Sequence, residues 1–240
     1  MPDTTYAHLL FLDIETVSGA ASFQDLPDRL RSEWLRKASY LKNEEGLSDE
    51  ALYFSRAGVF AEFGKIVAIG LGFFHEDEDG TRTFRVRTLR GHDEHALLTE
   101  FTALLRKKYP RHLTLCAHNG REFDYPFLCR RLLVRNIPIP KNLWNPAWRR
   151  FENPHLDTMD MWKFGDYKHY TSLELLAALF DIPSSKETLS GDQVTPAYYL
   201  RDDLEGIARY CREDVVVLAR LFLRYRQLPD LEEDAIVRLD

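Results

Sequence analysis

At 240 residues and 45% apolar side chains, the chain is long enough to bury a full core and is expected to form a single domain over 1–240. Its formal net charge of −6 excludes global attraction to nucleic acid or anionic membrane, so a polyanionic partner requires a local basic groove or bound metal. Three cysteines without paired spacing (Cys116, Cys129, Cys211) and the absence of a leader or long apolar run point to a reduced, cytoplasmic chain with no membrane partner.

The first element, Leu9 to Thr16, is an apolar run ending in Asp13-Ile14-Glu15-Thr16, and it reads as a strand. Strand side chains alternate faces, so Asp13 and Glu15 project from one face. Two like charges about 4 Å apart repel by roughly 4 kcal/mol at an effective dielectric of about 20. Beside an apolar strand they also lose water. A hard divalent cation reverses the sign; a strand that simply reaches solvent and turns is the plainer account of the same residues.

From about 20 to 58 the pattern is polar and mostly helical, with Leu26, Leu30, Trp34, Leu35 and Leu41 near helical spacing. It reads as an insertion between the first two strands. Gly64 to Phe74 is expected as a buried strand, and Thr81 to Leu89 alternates as its antiparallel partner across an Asp-Glu-Asp-Gly turn. Leu97, Leu98, Phe101, Leu104 and Leu105 mark an amphipathic helix from Asp93 to Tyr109, closed by Pro110. The strand Leu113 to Ala117 then runs into His118-Asn119-Gly120-Arg121-Glu122-Phe123-Asp124, and helical spacing continues through Phe127, Leu128, Leu132, Leu133 and Ile137 to Pro138.

Asp124 thus stands near a helix N-terminus beside a strand end, where an acid complements the helix dipole even without a ligand. His118 reads as a hydrogen-bonding residue. The loop with Trp144, Trp148, Arg149 and Arg150 has the chemistry to stack on and pair with a nucleic-acid strand, although ordinary surface packing uses the same residues. Thr171 to Phe180 reads as a helix with a Ser or Thr cap, a polar connection spans 184–195, and the last helix runs from about Leu204 to Arg226. There Tyr210 and Asp214 share a face at i and i+4. Asp214, among Ile207, Val217, Leu218 and Leu221, needs a partner, either an arginine or the Tyr210 hydroxyl.

Four acids at strand and helix ends, in the order Asp-x-Glu, Asp, Asp, suit phosphodiester cleavage by two metal ions held about 3.5–4 Å apart. Carboxylates supply the oxygen ligands that Mg²⁺ or Mn²⁺ takes, whereas Cys and His favour zinc. The motifs Asp13-Ile14-Glu15-Thr16, Asn119 through Asp124, and Tyr210 through Asp214 resemble those of the DEDD superfamily of 3′–5′ exonucleases, specifically the stand-alone relatives of the exonuclease domain of family B DNA polymerases. The tyrosine four residues before Asp214, with Arg209 rather than His preceding it, matches the tyrosine subtype. The resemblance covers Leu9 to about Tyr225.

It implies a ribonuclease-H-like α/β fold with a five-stranded mixed sheet, order 3-2-1-4-5, flanked by helices. It further implies hydrolysis of nucleic acid, DNA ahead of RNA, as a single strand or at a 3′ end, releasing nucleoside 5′-monophosphates. Asp13 would bridge two divalent cations, Mg²⁺ or Mn²⁺, with Glu15, Asp214 and Asp124 completing the cage and Asp124 acting largely through water. Tyr210 would orient the attacking water, a phenol of pKa near about 10 being a poor general base. Thr16, Asn119 and Phe123 match positions that hold terminal nucleotides, and Phe123 suits the core equally. One departure is the helix Ser172-Leu173 with Leu176-Ala177, where the relatives' lysine position holds Phe180. The other readings are a catalytically silent nucleic-acid-binding protein of the same fold and a phosphohydrolase of small nucleotides.

Overall fold

The computed structural model describes residue 6 and residues 8–108, 113–148, 152–166, 170–184 and 189–239. Tyr109, Pro110, Arg149, Arg150 and residues 185–188 of the expected polar connection lie outside them. Fourteen regular elements follow in order among the described residues: β1 (Leu9–Ser18), α1 (Asp28–Ala38), α2 (Asp49–Arg56), β2 (Gly64–Glu76), β3 (Arg82–Arg90), α3 (Glu94–Lys108), β4 (Thr114–Ala117), α4 (Asp124–Val134), β5 (Leu156–Asp157), α5 (Thr158–Lys163), α6 (Leu173–Leu179), α7 (Val194–Leu200), α8 (Leu204–Tyr225) and β6 (Ile236–Arg238).

The sheet is mixed and has six strands rather than five, in the order β5-β4-β1-β2-β3-β6. β1, β2 and β3 form an antiparallel meander, while β4 lies parallel to β1 and β5 parallel to β4. The expected order 3-2-1-4-5 is therefore present, extended by β6, which pairs parallel with β3 from Phe84 opposite Ile236. Three residues of pairing are too short for a period-2 pattern to announce, and the same holds for the two-residue β5. The 184–195 connection is likewise not irregular throughout, because α7 begins at Val194.

The alternation along β1 assigns the two faces of the sheet. Leu10, Leu12 and Ile14 enter a core with Leu97, Leu98 and Phe101 of α3 and Phe127, Leu128 and Leu132 of α4. Leu9 and Phe11 enter a second core on the other face, with Val215, Leu218, Ala219 and Phe222 of α8. Asp13 and Glu15 have the parity of Leu9 and Phe11, so they emerge on the α8 side.

α8 lies very close to the sheet there. Gly70 of β2 pairs opposite Asp13, and a Cβ at Gly70 would stand 2.9 Å from the Cys211 carbonyl oxygen and 2.8 Å from a Val215 methyl. Glycine at this strand position is what lets the helix approach. On the opposite face, α4 is tied to α3 by Glu94, whose buried carboxylate accepts from Arg131 Nη2 and Arg135 Nε at 2.7 Å each and from the Ile66 backbone N–H at 2.8 Å. That network fixes the helix that begins with Asp124.

Between β1 and β2, Trp34 is fully buried and packs edge-on against Tyr53 and Phe63, with ring centroids 5.2 and 5.1 Å away. This small satellite core holds α1 and α2 together. Among the described residues, no helix is long and apolar enough to cross a membrane.

Candidate active site

β1, α4 and α8 bring four acids into one electrostatic field, and the group at metal-ligand spacing among the described residues is Asp13, Glu15 and Cys211, without Asp124 or Asp214. Asp13 is half-buried and Glu15 buried on β1; a bulge between Glu15 and Thr16 shifts the pairing with β2 just beyond them. Ligand atoms of Asp13, Glu15 and Cys211 lie within 4.8 Å of one another. The Cys211 thiol sits 3.5 Å from Asp13 Oδ2 and 3.6 Å from the Asp13 carbonyl oxygen. Asp214 is half-buried one turn from Tyr210 on α8, and Asp124 is buried in the first turn of α4.

These acids share one electrostatic environment. Burial, then the charges of Glu15, Asp214 and Asp124, hold the Asp13 carboxyl well above the usual carboxylate range, against a lowering contribution from the Cys211 thiol. Burial, then Asp214 and Asp124, do the same to Glu15. Asp124 is pushed up to about 8 by burial and by Asp157, while backbone N–H groups at Asp124 and Ile14 favour its ionised form. Burial, then the charges of Asp214, Glu15 and Asp13 and a hydrogen bond to Asp214, hold the Tyr210 phenol far above its ordinary value. The same charges, after burial, keep Cys211 a neutral thiol.

The segment from β4 to α4 is shaped by a residue that the sequence pattern did not mark. Asp157, 2% exposed, accepts the backbone N–H of Asn119 at 2.9 Å, of Arg121 at 3.0 Å and of Met159 at 2.9 Å. Asn119 takes a left-handed backbone, φ 61°, inside this turn, and its buried Oδ1 has no hydrogen-bond partner among the described residues. The only signal for Asp157 was its type and place, an Asp before a Thr-led helix where it also caps α5.

Among the other residues singled out, Thr16 is half-buried on β1 just past the bulge. Phe123 is half-buried and rests on the core against Phe127, with ring centroids 5.3 Å apart, leaving part of the ring accessible. His118 is hydrogen-bonded through both nitrogens, to Thr158 Oγ1 at 2.9 Å and the Thr171 carbonyl at 2.8 Å, and burial lowers its pKa. Phe180 closes an aromatic group with Trp162 and Tyr225 at 5.9 and 6.1 Å, so packing accounts for it. Trp148 packs edge-on against His155 at 5.6 Å. Two further neighbours of the cluster are Cys211 and Tyr170, whose side chain is largely exposed while its phenol is raised by partial desolvation and by Asp124, Asp13 and Asp214.

Comparison with known proteins agrees with this architecture. Among curated protein sequences none matches the chain. The structure is similar to that of the family B DNA polymerase from the hyperthermophilic archaeon Pyrobaculum calidifontis, with a TM-score of 0.52 and 15% sequence identity. The match covers 90% of this chain and 24% of that one, so this chain spans about a quarter of the polymerase's length, and the likeness is one of fold. Residues 60–236, about three quarters of the sequence, match a family described as "Predicted 3'-5' exonuclease related to the exonuclease domain of PolB"; the match starts beyond β1 and takes in Asp124, Tyr210 and Asp214. With most of its length inside that family model and its fold matched to a polymerase of family B, the chain belongs to the predicted 3′–5′ exonucleases related to the PolB exonuclease domain.

Proposed function

We propose that the chain is a divalent-metal-dependent 3′–5′ exonuclease of the tyrosine subtype that hydrolyses nucleic acid, DNA ahead of RNA, with two metal ions and releases nucleoside 5′-monophosphates. The observation that carries the reading is the placement of Asp13 and Glu15 together at metal-ligand spacing, within the electrostatic field of Asp124 and Asp214. Leaving such a cluster without countercharge is unfavourable. The donors fit a hard cation: the four acids offer only oxygen, and Cys211, held protonated, offers no thiolate.

Asp13, Glu15, Asp124 and Asp214 are the residues that would hold Mg²⁺ or Mn²⁺. When bound, such ions supply Lewis-acid charge that lowers the pKa of water and stabilises the leaving oxygen. Tyr210 keeps its proton throughout the working pH range because its pKa is so far raised, so it can orient a water by hydrogen bonding but cannot accept that water's proton as a base. Thr16, Asn119 and Phe123 would hold the terminal nucleotides. The Asn119 Oδ1, without a partner among the described residues, and the partly buried Phe123 ring offer a hydrogen-bond acceptor and a stacking edge for that purpose.

The test is a time course on 5′-labelled DNA and RNA oligomers with Mg²⁺, Mn²⁺ or EDTA. Stepwise shortening from the 3′ end with either metal, and none with EDTA, is the expected result. Cleavage of a mononucleotide ester without shortening of oligomers would replace this reading with a small-nucleotide phosphohydrolase.

A further inference from the structure

A pocket of about 420 Å³ lies against the outer face of α8, between Pro183 and Ser184 on one side and the chain around β6 on the other. Tyr210 forms part of its wall, which places the pocket beside the acidic cluster. Four arginines line it: Arg209, Arg212, Arg220 and Arg238. Arg238 is paired with Glu213 and Glu233 at 2.9 Å each, Arg220 with Asp230 at 2.9 Å, and Arg212 with Glu213 at 3.1 Å. Arg209 is different. It is exposed, its side chain has no hydrogen bond or ion pair among the described residues, and it also borders a smaller pocket of about 190 Å³ that contains Arg201.

We propose that this pocket binds a backbone phosphodiester of the substrate strand outside the linkage being cut, with Arg209 making the phosphate contact. The proposal rests on the nuclease reading above and names where the strand is held. A chain of net charge −6 needs a local cation to attract a polyanion, and the neighbouring acids repel phosphate. Arg209 is the cation that can answer at no cost in broken ion pairs, directly adjacent in sequence to Tyr210. Its planar fork of donors suits phosphate oxygens. The paired arginines contribute shape: their charges are largely offset by Glu213, Glu233 and Asp230, and those pairs hold the wall of the pocket in place. The volume lies within the range of small-ligand sites, about 300–1,000 Å³, which is room for a phosphate with its sugar.

The experiment is fluorescence anisotropy in EDTA with a labelled single-stranded DNA oligomer about a dozen nucleotides long and with a dinucleotide, paired with digestion of the same oligomer in Mg²⁺ or Mn²⁺. The proteins are wild type, Arg209→Gln, Arg209→Lys and Lys42→Gln; the last removes the same charge at an exposed position in the segment between β1 and β2. Arg209→Gln is expected to weaken oligomer binding roughly fivefold or more and to reduce the log–log salt slope by about 0.7, one phosphate contact on a single strand. The loss is smaller on the dinucleotide, and Arg209→Lys recovers most of it. Equal affinity and slope for wild type and Arg209→Gln, an equal loss in Lys42→Gln, or no oligomer binding by wild type would each overturn the pocket proposal. Digestion by wild type in those cases leaves the nuclease reading standing. Arg209-dependent binding with no digestion in either metal supports the pocket and removes the nuclease reading.

Discussion

Asp157 Oδ1 accepts the backbone N–H of Asn119 at 2.9 Å, and through it the two-residue strand β5 determines the backbone of the loop that leads to Asp124. The same carboxylate takes the N–H of Arg121, so two donors of one turn converge on a single buried side chain. Asp157→Asn keeps one acceptor oxygen but sets an amide NH₂ against one of these donors. The expected loss in urea unfolding is about 1–3 kcal/mol, the cost of a buried unsatisfied group. Turnover should fall with it, because Asn119 and Phe123 lose their fixed approach. Unchanged stability and turnover in Asp157→Asn would mean that the turn holds its shape without the clamp.

Cation binding should stabilise the fold. Mg²⁺ or Mn²⁺ relieves the repulsion that raises Asp13 and Glu15 and favours the native state by mass action. The cation must also displace protons from carboxyls held above their usual range, so the increase in Tm is expected to grow from pH 6 toward pH 8. Thermal unfolding with metal and with EDTA across this range is the measurement. An increase in Asp13→Asn equal to that of wild type would place the binding elsewhere.

Tyr210 and Asp214 share a face of α8 but should fail differently. Asp214→Ala removes a charged ligand, and activity is expected to drop close to background. Tyr210→Phe preserves the buried ring and deletes one hydroxyl that positions water, for a loss on the order of tenfold to a thousandfold with little change in metal affinity. Single-turnover cleavage across a Mg²⁺ titration separates the two. Wild-type rates in Tyr210→Phe would make Tyr210 a packing residue, and full activity in Asp214→Ala would dismiss the site.

His155 makes the fold sensitive to acid. Its Nδ1 accepts the Leu115 N–H at 3.2 Å and its Nε2 donates to the Leu143 carbonyl at 2.9 Å, an arrangement open only to the neutral ring. Burial lowers its pKa to about 4, against a raising contribution from the Leu143 carbonyl. A lowered histidine pKa means that the unfolded chain binds the proton first. The stability it contributes is complete above about pH 6.5 and is lost as pH falls toward about 4, on the order of 3 kcal/mol in all. The site acids, with raised pKa values, act in the opposite sense, so the comparison is between proteins. Urea unfolding of His155→Phe should show less stability at neutral pH but a shallower decline below pH 6.5; a decline parallel to wild type would assign the acid sensitivity to other groups.

The longer strands and helices were legible in the sequence, as were two side-chain pairings. Leu9 to Thr16 alternates in a way that puts Asp13 and Glu15 on one face, and the i, i+4 spacing of Tyr210 and Asp214 puts them on one side of a helix, because both relations are local and periodic. Short, non-periodic pieces were not legible: β5, β6 and α7 acquire their structure from the strands and helices they meet. That β1 turns its acids toward α8 follows from the packing of the helix on the sheet. Gly70 makes that approach close enough to bring Cys211 against Asp13. The tertiary structure also decided that Asp157, 38 residues from Asn119, shapes the turn before Asp124, and that Arg209, without an ion pair among the described residues, lines a pocket beside Tyr210. Charge repulsion, close packing and hydrogen bonding act through space, and the partners involved are separated along the chain by distances that no local pattern encodes.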